Sequence, residues 1–194
     1  MLRSAAAAVM TPKDGVLTLL ETVEAAGMEY VIVGALASGA WGIPRSTKDA
    51  DFVVACAGPE LDAVLRKLPS SYSIDPQARM ELFTGTLRWV LHLEGTPFEI
   101  EVFLLGADPH HAEIFVRKRR ERILMIDREA WIPTAEDLVI QKLRWARRKD
   151  LDDAQNILAV QGGAIDYAYI EAWCARHGTL DRLAEVRAAI PPGL

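Results

Sequence analysis

The sequence predicts an α/β core followed by a small helical module packed against it. Two observations carry this. From Asp14 to Ile132, apolar runs of strand length alternate with segments whose apolar residues recur at helical spacing. From Pro133 onward only the helical spacing remains. The chain accordingly divides into a core at 14–132 and a module at 133–190.

Taken in order, Val16, Leu17, Leu20, Val23 and Ala26 give one apolar face to a helix from Asp14, and Gly27 stops it. The run Val31-Ile32-Val33 makes a strand over 30–33, followed by a short helix near 36–41 and a strand over 50–54. Gly58-Pro59 opens a helix carrying Leu61, Val64, Leu65 and Leu68 on one face, ended by Pro69-Ser70-Ser71. Residues 80–93 read as a hairpin around Thr84-Gly85-Thr86, with Leu87, Trp89 and Leu91 alternating. Gly95-Thr96-Pro97 turns into a strand over 98–103. The segment 110–121 reads as a basic helix, and Ile123, Leu124 and Ile126 as an edge strand. Four helices complete the chain, at 134–147, 150–160, 166–176 and 179–188.

Composition narrows the classes. Of 194 residues 51% are apolar, enough for a packed core. A net charge of −5 argues against a surface that coats nucleic acid broadly, leaving room only for a local basic patch. Cys56 and Cys174 lie far apart and match no metal spacing, so both read as reduced thiols of a cytoplasmic protein. No apolar run approaches the ~20 residues of a membrane span. Met1-Leu2-Arg3-Ser4 and the alanines after it have the look of a leader. That apolar part is short and merges into Thr11-Pro12-Lys13-Asp14, and we read it as a frayed end or start-site artefact.

The chemistry concentrates in Tyr30–Val54, YVIVGALASGAWGIPRSTKDADFVV. A strand ends at Gly34, and a small-residue turn follows in which backbone N–H groups open a helix with no bulky side chain in front of them. Arg45-Ser46-Thr47-Lys48 then leads into Asp49-Ala50-Asp51 at the mouth of the next strand. Acids at i and i+2 of a strand share one face and repel, so a cation belongs between them. At a phosphate-processing site the commonest such cation is Mg²⁺, in a pair.

These residues resemble the nucleotidyltransferase superfamily, whose hallmark is a Gly-Ser or Gly-Gly turn followed by Asp-x-Asp. Within it they look most like the small prokaryotic branch of AbiEii-type abortive-infection toxins. That branch also carries a helical segment matched here by Glu136-Asp137-Leu138, Lys142-Leu143, Asp150 and Asp153. The resemblance runs from about Val16 to Trp173. It implies a mixed β-sheet flanked by helices and transfer of a nucleoside monophosphate from an NTP to an acceptor hydroxyl, with two Mg²⁺ ions held by Asp49, Asp51 and a third acid. The acceptor is expected to be RNA such as a tRNA end or a protein, and a toxin would have a cognate antitoxin; the alternative is an antibiotic-modifying enzyme with the same chemistry on a small molecule. Ala35 stands where the family has Ser or Gly. It keeps the backbone donors and removes a hydroxyl, so a hydroxyl contact to phosphate would fall to Ser38, or a degenerate nucleotide-binding protein would result.

The third acid is sought on Phe98–Leu104, where Glu99, Glu101 and Phe103 share a face as Asp49, Asp51 and Val53 do. Both strands run acid, acid, apolar, and the family's apolar–acid–apolar context favours Glu101. Its alternative is a solvated strand face. Arg45 and Lys48 are candidates for triphosphate contacts, or else merely cap the strand. Lys142 is either a nucleotide contact or a lysine snorkelling from an amphipathic helix. Asp150 and Asp153 suit a helix start by the dipole alone; the resemblance makes Asp153 a tether for Lys142. Arg117-Lys118-Arg119-Arg120 is either a binding site for RNA phosphates or a solvated helix face. His110-His111 beside Asp108 points in diverging directions and makes a poor metal trio.

Overall fold

The computed structural model describes residues 10–81 and 85–191. The N-terminal alanine run and Thr84, at the tip of the expected hairpin, lie outside the described residues. Helix α1 (Pro12–Ala25) begins with a reciprocal cap: the Thr11 hydroxyl accepts the Asp14 N–H, and the Asp14 carboxylate accepts the Thr11 N–H. Gly27, at φ +68°, turns the chain into β1 (Glu29–Val33). Next come α2 (Gly34–Trp41), β2 (Asp49–Ala55), α3 (Gly58–Leu65), β3 (Tyr72–Ile74), β4 (Arg79–Glu81), β5 (Thr86–Leu93) and β6 (Glu99–Leu104).

The sheet runs β1-β2-β6-β5-β3, with β4 also paired to β5. Only β2 and β6 are parallel; the other pairs are antiparallel, which makes the sheet mixed. The parallel pair sets the register that matters: Asp49 lies opposite Glu99, Asp51 opposite Glu101, and Val53 opposite Phe103. Ala50, Phe52 and Val54 point to the other face and are buried with Ile100 and Val102. Strand β3 was absent from the sequence reading because Ser73 and Ile74 offer no alternation long enough to register. What fixes it is its pairing with β5 and the Tyr72 hydroxyl, which donates to the Gly15 carbonyl of α1 at 2.5 Å.

The basic segment departs from expectation. Helix α4 (Pro109–Arg117) stops at Lys118, and Arg119–Ile123 is a strand, β7, paired antiparallel with β8 (Arg128–Ile132). Leu124–Asp127 is the turn between them rather than an edge strand. The reason is tertiary: Ala130 and Ile132 of β8 are fully buried at period two, and β7 supplies the backbone partner that such a buried strand requires.

The C-terminal helices are α5 (Ala135–Trp145), α6 (Arg148–Gln161), α7 (Tyr167–His177) and α8 (Leu180–Ala188), with a 3₁₀ turn at Gly162–Ala164. They dock tightly on α2. A Cβ at Gly42 would sit 3.1 Å from the Ile157 amide nitrogen, Trp41 Nε1 donates to the Pro133 carbonyl, and Gln161 Nε2 donates to the Trp41 carbonyl. One buried apolar cluster extends from Val16 to Val186, so sheet and helices share a core. Among the described residues no helix is long and apolar enough to cross a membrane.

Candidate active site

Where β1 meets α2, the chain must turn sharply while leaving room for the next strand. Gly34 does this at φ +66°, and a Cβ there would lie 2.0 Å from Asp51 Oδ2. Glycine is therefore required twice, for the backbone angle and for the carboxylate that fills its missing side chain. Helix α2 starts on this residue with no side-chain cap, and Gly34 and Ala35 line the adjoining cleft. Ser38 is not brought to that cleft. It is buried and its hydroxyl donates to the Gly34 carbonyl one turn back, at 2.9 Å. This corrects the expectation that it would replace the hydroxyl absent at Ala35.

The cleft has a volume of about 350 Å³ and is floored by Asp49, Asp51 and Glu101. The Thr47 hydroxyl donates to Asp49 Oδ1 and fixes its rotamer. Burial, and next the charges of Asp49 and Glu101, push the Asp51 carboxyl up to about 7, partly opposed by Lys142 and Lys149. Glu101 is also raised, by burial first, against the pull of Arg88, whose Nη1 lies 2.7 Å from Glu101 Oε1. Glu99 instead reaches His92 Nδ1 at 3.3 Å and is half exposed at the sheet rim. Of the two acids on β6, only Glu101 belongs to the cleft.

The opposite wall comes from α5 and α6. Lys142 lines it, but its Nζ is committed to Asp153 Oδ2 at 2.7 Å and Asp150 Oδ1 at 3.3 Å, and all three side chains are buried. Arg45 closes the network from the loop before β2, with Nε and Nη2 at 2.7 and 3.0 Å from the two Asp153 oxygens. Arg147 clamps Asp150 in the same way. Burial would raise both aspartates, yet these hydrogen bonds outweigh it and hold them below the usual range. Asp153 is thus the tether of Lys142 that the sequence suggested, and Arg45 belongs to the same lock. Lys48 is exposed and does not reach the cleft.

Three cleft residues escaped the sequence reading. Lys149 lines the cleft near Asp51 and has no ion-pair partner among the described residues. Arg147 sits beside it. Arg88 falls on the same face of β5 as Val90, which lies opposite Glu101. Alternation against Leu87, Trp89 and Leu91 would have placed Arg88 on that face, but not beside an acid.

The donor set suits a hard divalent cation: the oxygens of Asp49 and Asp51 on β2, at the floor of the cleft. Among the described residues no three His, Cys, Asp or Glu side chains converge closely enough to cage an ion alone. Mg²⁺ is ordinarily held by one or two carboxylates together with substrate phosphates, and the Asp pair fits that pattern. The histidine trio does not form. His110 is buried against Asp137, His111 faces the cleft, and Asp108 caps α4 and pairs with Arg144.

The basic segment is largely neutralised within the chain. Arg117 pairs with Glu136 and Asp137 and stacks on Tyr169; Lys118 pairs with Glu29, Arg120 with Glu129, and Arg122 with Asp127.

No protein-family model matches this chain, and no curated protein matches it. Solved structures do. The antibiotic-resistance factor ANT(2'')-Ia is similar over 88% of this chain and 95% of its own, at 12% identity and a TM-score of 0.57. An antigenic nucleotidyltransferase-like protein from Paracoccidioides brasiliensis is similar over 92% and 93%, at 18% identity and 0.56. The lincosamide antibiotic adenylyltransferase LnuA, with lincomycin bound, is similar over 78% and 99%, at 13% identity and 0.53. At such identities the likeness is one of fold: the chain has the nucleotidyltransferase-like architecture, a mixed sheet flanked by helices.

Proposed function

We propose that this chain is a Mg²⁺-dependent nucleotidyltransferase that moves a nucleoside monophosphate from an NTP to the hydroxyl of a small-molecule acceptor. The observation that carries the reading is the fusion of two parts into one site. Asp51, held beside Asp49 and in register with Glu101, packs its carboxylate into the space left by the Gly34 side chain. Acids and phosphate-facing amides are thereby held within one triphosphate's length of each other.

The acceptor oxygen attacks the α-phosphorus, the bond to the bridging oxygen of the β-phosphate breaks, and pyrophosphate leaves. The acceptor proton passes to Glu101, the acid that lines the cleft opposite Asp51. Mg²⁺ bound between Asp49, Asp51 and the phosphates would supply Lewis-acid stabilisation of the charge that builds on the transferred group. The first amides of α2 and the unpaired Lys149 hold the β- and γ-phosphates. Arg45, Lys142 and Arg147 keep the α5–α6 wall in place through the two buried aspartates. Most of the rate comes from holding the reacting groups in line.

A small acceptor is favoured over RNA because Arg117, Lys118 and Arg120 of the basic segment expected to hold RNA phosphates have ion-pair partners within the chain. Two of the structural neighbours were solved with antibiotic ligands, ANT(2'')-Ia with adenylyl-2''-tobramycin and LnuA with lincomycin, in agreement with this. Both cysteines are free, which agrees with the cytoplasmic setting we assign.

The test is pyrophosphate release with each of four NTPs against aminoglycoside, lincosamide, tRNA and protein acceptors, for the wild type, Asp49→Asn and Asp51→Asn. We expect turnover with a small hydroxylated acceptor, abolished in both variants, and a Mg²⁺-dependent rise in melting temperature confined to the wild type. Equal Mg²⁺ shifts in all three proteins would remove the Asp pair from the site. Turnover on tRNA that falls steeply with salt would replace the small acceptor by RNA and restore the toxin reading.

A further inference from the structure

Arg88 occupies an unusual place for a structural arginine. It rises from β5 into the cleft, and Nη1 touches one oxygen of Glu101 at 2.7 Å. The pair is single-ended: the guanidinium does not lie flat against the carboxylate, and its Nε is buried with no hydrogen-bond partner. A pair kept for stability would use the two-pronged geometry that satisfies both, as Arg45 and Arg147 do with their aspartates here. Leaving a buried N–H unsatisfied is costly, so what Arg88 contributes at this position is its charge.

That charge stands where the third carboxylate would share a second divalent ion. Asp49, Asp51 and Glu101 stand on two adjacent strands, and the last of them is already bonded to the Arg88 guanidinium. A second divalent ion at Glu101 would have to approach a fixed cation already bonded to it, in a partly desolvated cleft where like charges repel far more than in water.

We infer that this site works with a single Mg²⁺, held by Asp49 and Asp51, and that Arg88 takes the charge-balancing place of a second ion at Glu101. The inference rests on the nucleotidyltransferase reading above and narrows it. Glu101 then acts on the acceptor alone, with one oxygen held by Arg88 and the other turned to the substrate. Because the guanidinium is fixed, Glu101 is positioned before any ligand arrives.

Manganese counts the ions without turnover. The full-length protein is complexed with one equivalent of a non-hydrolysable α,β-methylene NTP and titrated with Mn²⁺ under electron paramagnetic resonance. Two ions about 3.5–4 Å apart, the spacing of two-metal sites, couple magnetically, whereas a lone ion does not. The wild type is expected to bind one uncoupled Mn²⁺ per complex. Arg88→Gln should admit a second, coupled ion, Arg88→Lys should remain at one, and Arg88→Gln combined with Glu101→Gln should return to one. A coupled pair in the wild type overturns the inference, as does a single ion in a folded Arg88→Gln protein. If Arg88→Gln does not fold, Arg88→Met serves for that arm, and the wild-type count decides by itself. Asp51→Asn separates the two levels: if it binds Mn²⁺ as tightly as the wild type, the nucleotidyltransferase site is wrong, not merely its metal count.

Discussion

Gly34→Ala isolates the most constrained contact in the site, and Gly27→Ala provides its internal control. Both glycines sit at nearly the same left-handed angle, φ +66° and +68°. Alanine at either pays the same backbone penalty, about 1–2 kcal/mol. Around Gly27 nothing lies within 4 Å of the new Cβ, so the penalty ends there. At Gly34 the Cβ would meet Asp51 Oδ2 at 2.0 Å, against 3.4 Å for an ordinary contact. The carboxylate must retreat by about 1.4 Å, beyond the ~1 Å misplacement that costs on the order of 100-fold in rate at a positioned catalytic group. Displacing Asp51 also disturbs its neighbours Asp49 and Glu101, so we expect a total destabilisation of about 2–4 kcal/mol. Urea denaturation and pyrophosphate release measure the two effects separately. Gly27→Ala should lose stability and keep its turnover; Gly34→Ala should lose both. Equal stability losses with wild-type turnover in Gly34→Ala would refute the contact between the turn and the carboxylate.

Three further outcomes are expected. Lys142→Met should destabilise by about 3 kcal/mol, the low end for breaking a buried ion pair, because Arg45 and Arg147 still face the orphaned aspartates; wild-type stability in denaturant would show that Lys142 does not hold this wall. Glu101→Gln should slow the reaction by at least ~100-fold, while Glu99→Gln, lost only from a rim contact with His92, should change it little; the reverse ranking of kcat would move the active acid to Glu99. Burial, followed by the nearby Arg144 cation, pushes His177 down to about 4 from 6.5. The folded protein therefore binds fewer protons than the unfolded chain between those values, and stability falls as pH drops through that window. His177→Gln should flatten that acid limb in melting curves taken from pH 7 to 4; an unchanged limb would assign it to other groups.

Where the side-chain period is short and its neighbours are local, the sequence determined the outcome by itself. Asp49 and Asp51 had to share a face because a strand alternates, and the Gly34 turn had to follow β1 because only glycine passes through that angle without strain. Helices α1, α3 and α5 to α8 were legible from apolar spacing and their capping or breaking residues. Lys142 and Asp153 were marked as partners by resemblance, and their ion pair agrees.

What eluded the sequence depends on which segments become neighbours. Arg119–Ile123 has the composition of an exposed helix and became a strand because β8 needed a backbone partner. The serine meant for phosphate found the Gly34 carbonyl one helical turn away. Glu101 could be preferred over Glu99 by context, but only the parallel register of β2 with β6 puts it opposite Asp51. Arg88 and Lys149 come from elements distant in sequence, β5 and α6, and nothing in their own surroundings reveals the acids they face. Charge in a site is settled by through-space proximity, and that proximity exists only once the sheet order and the docking of α5 and α6 on α2 are set.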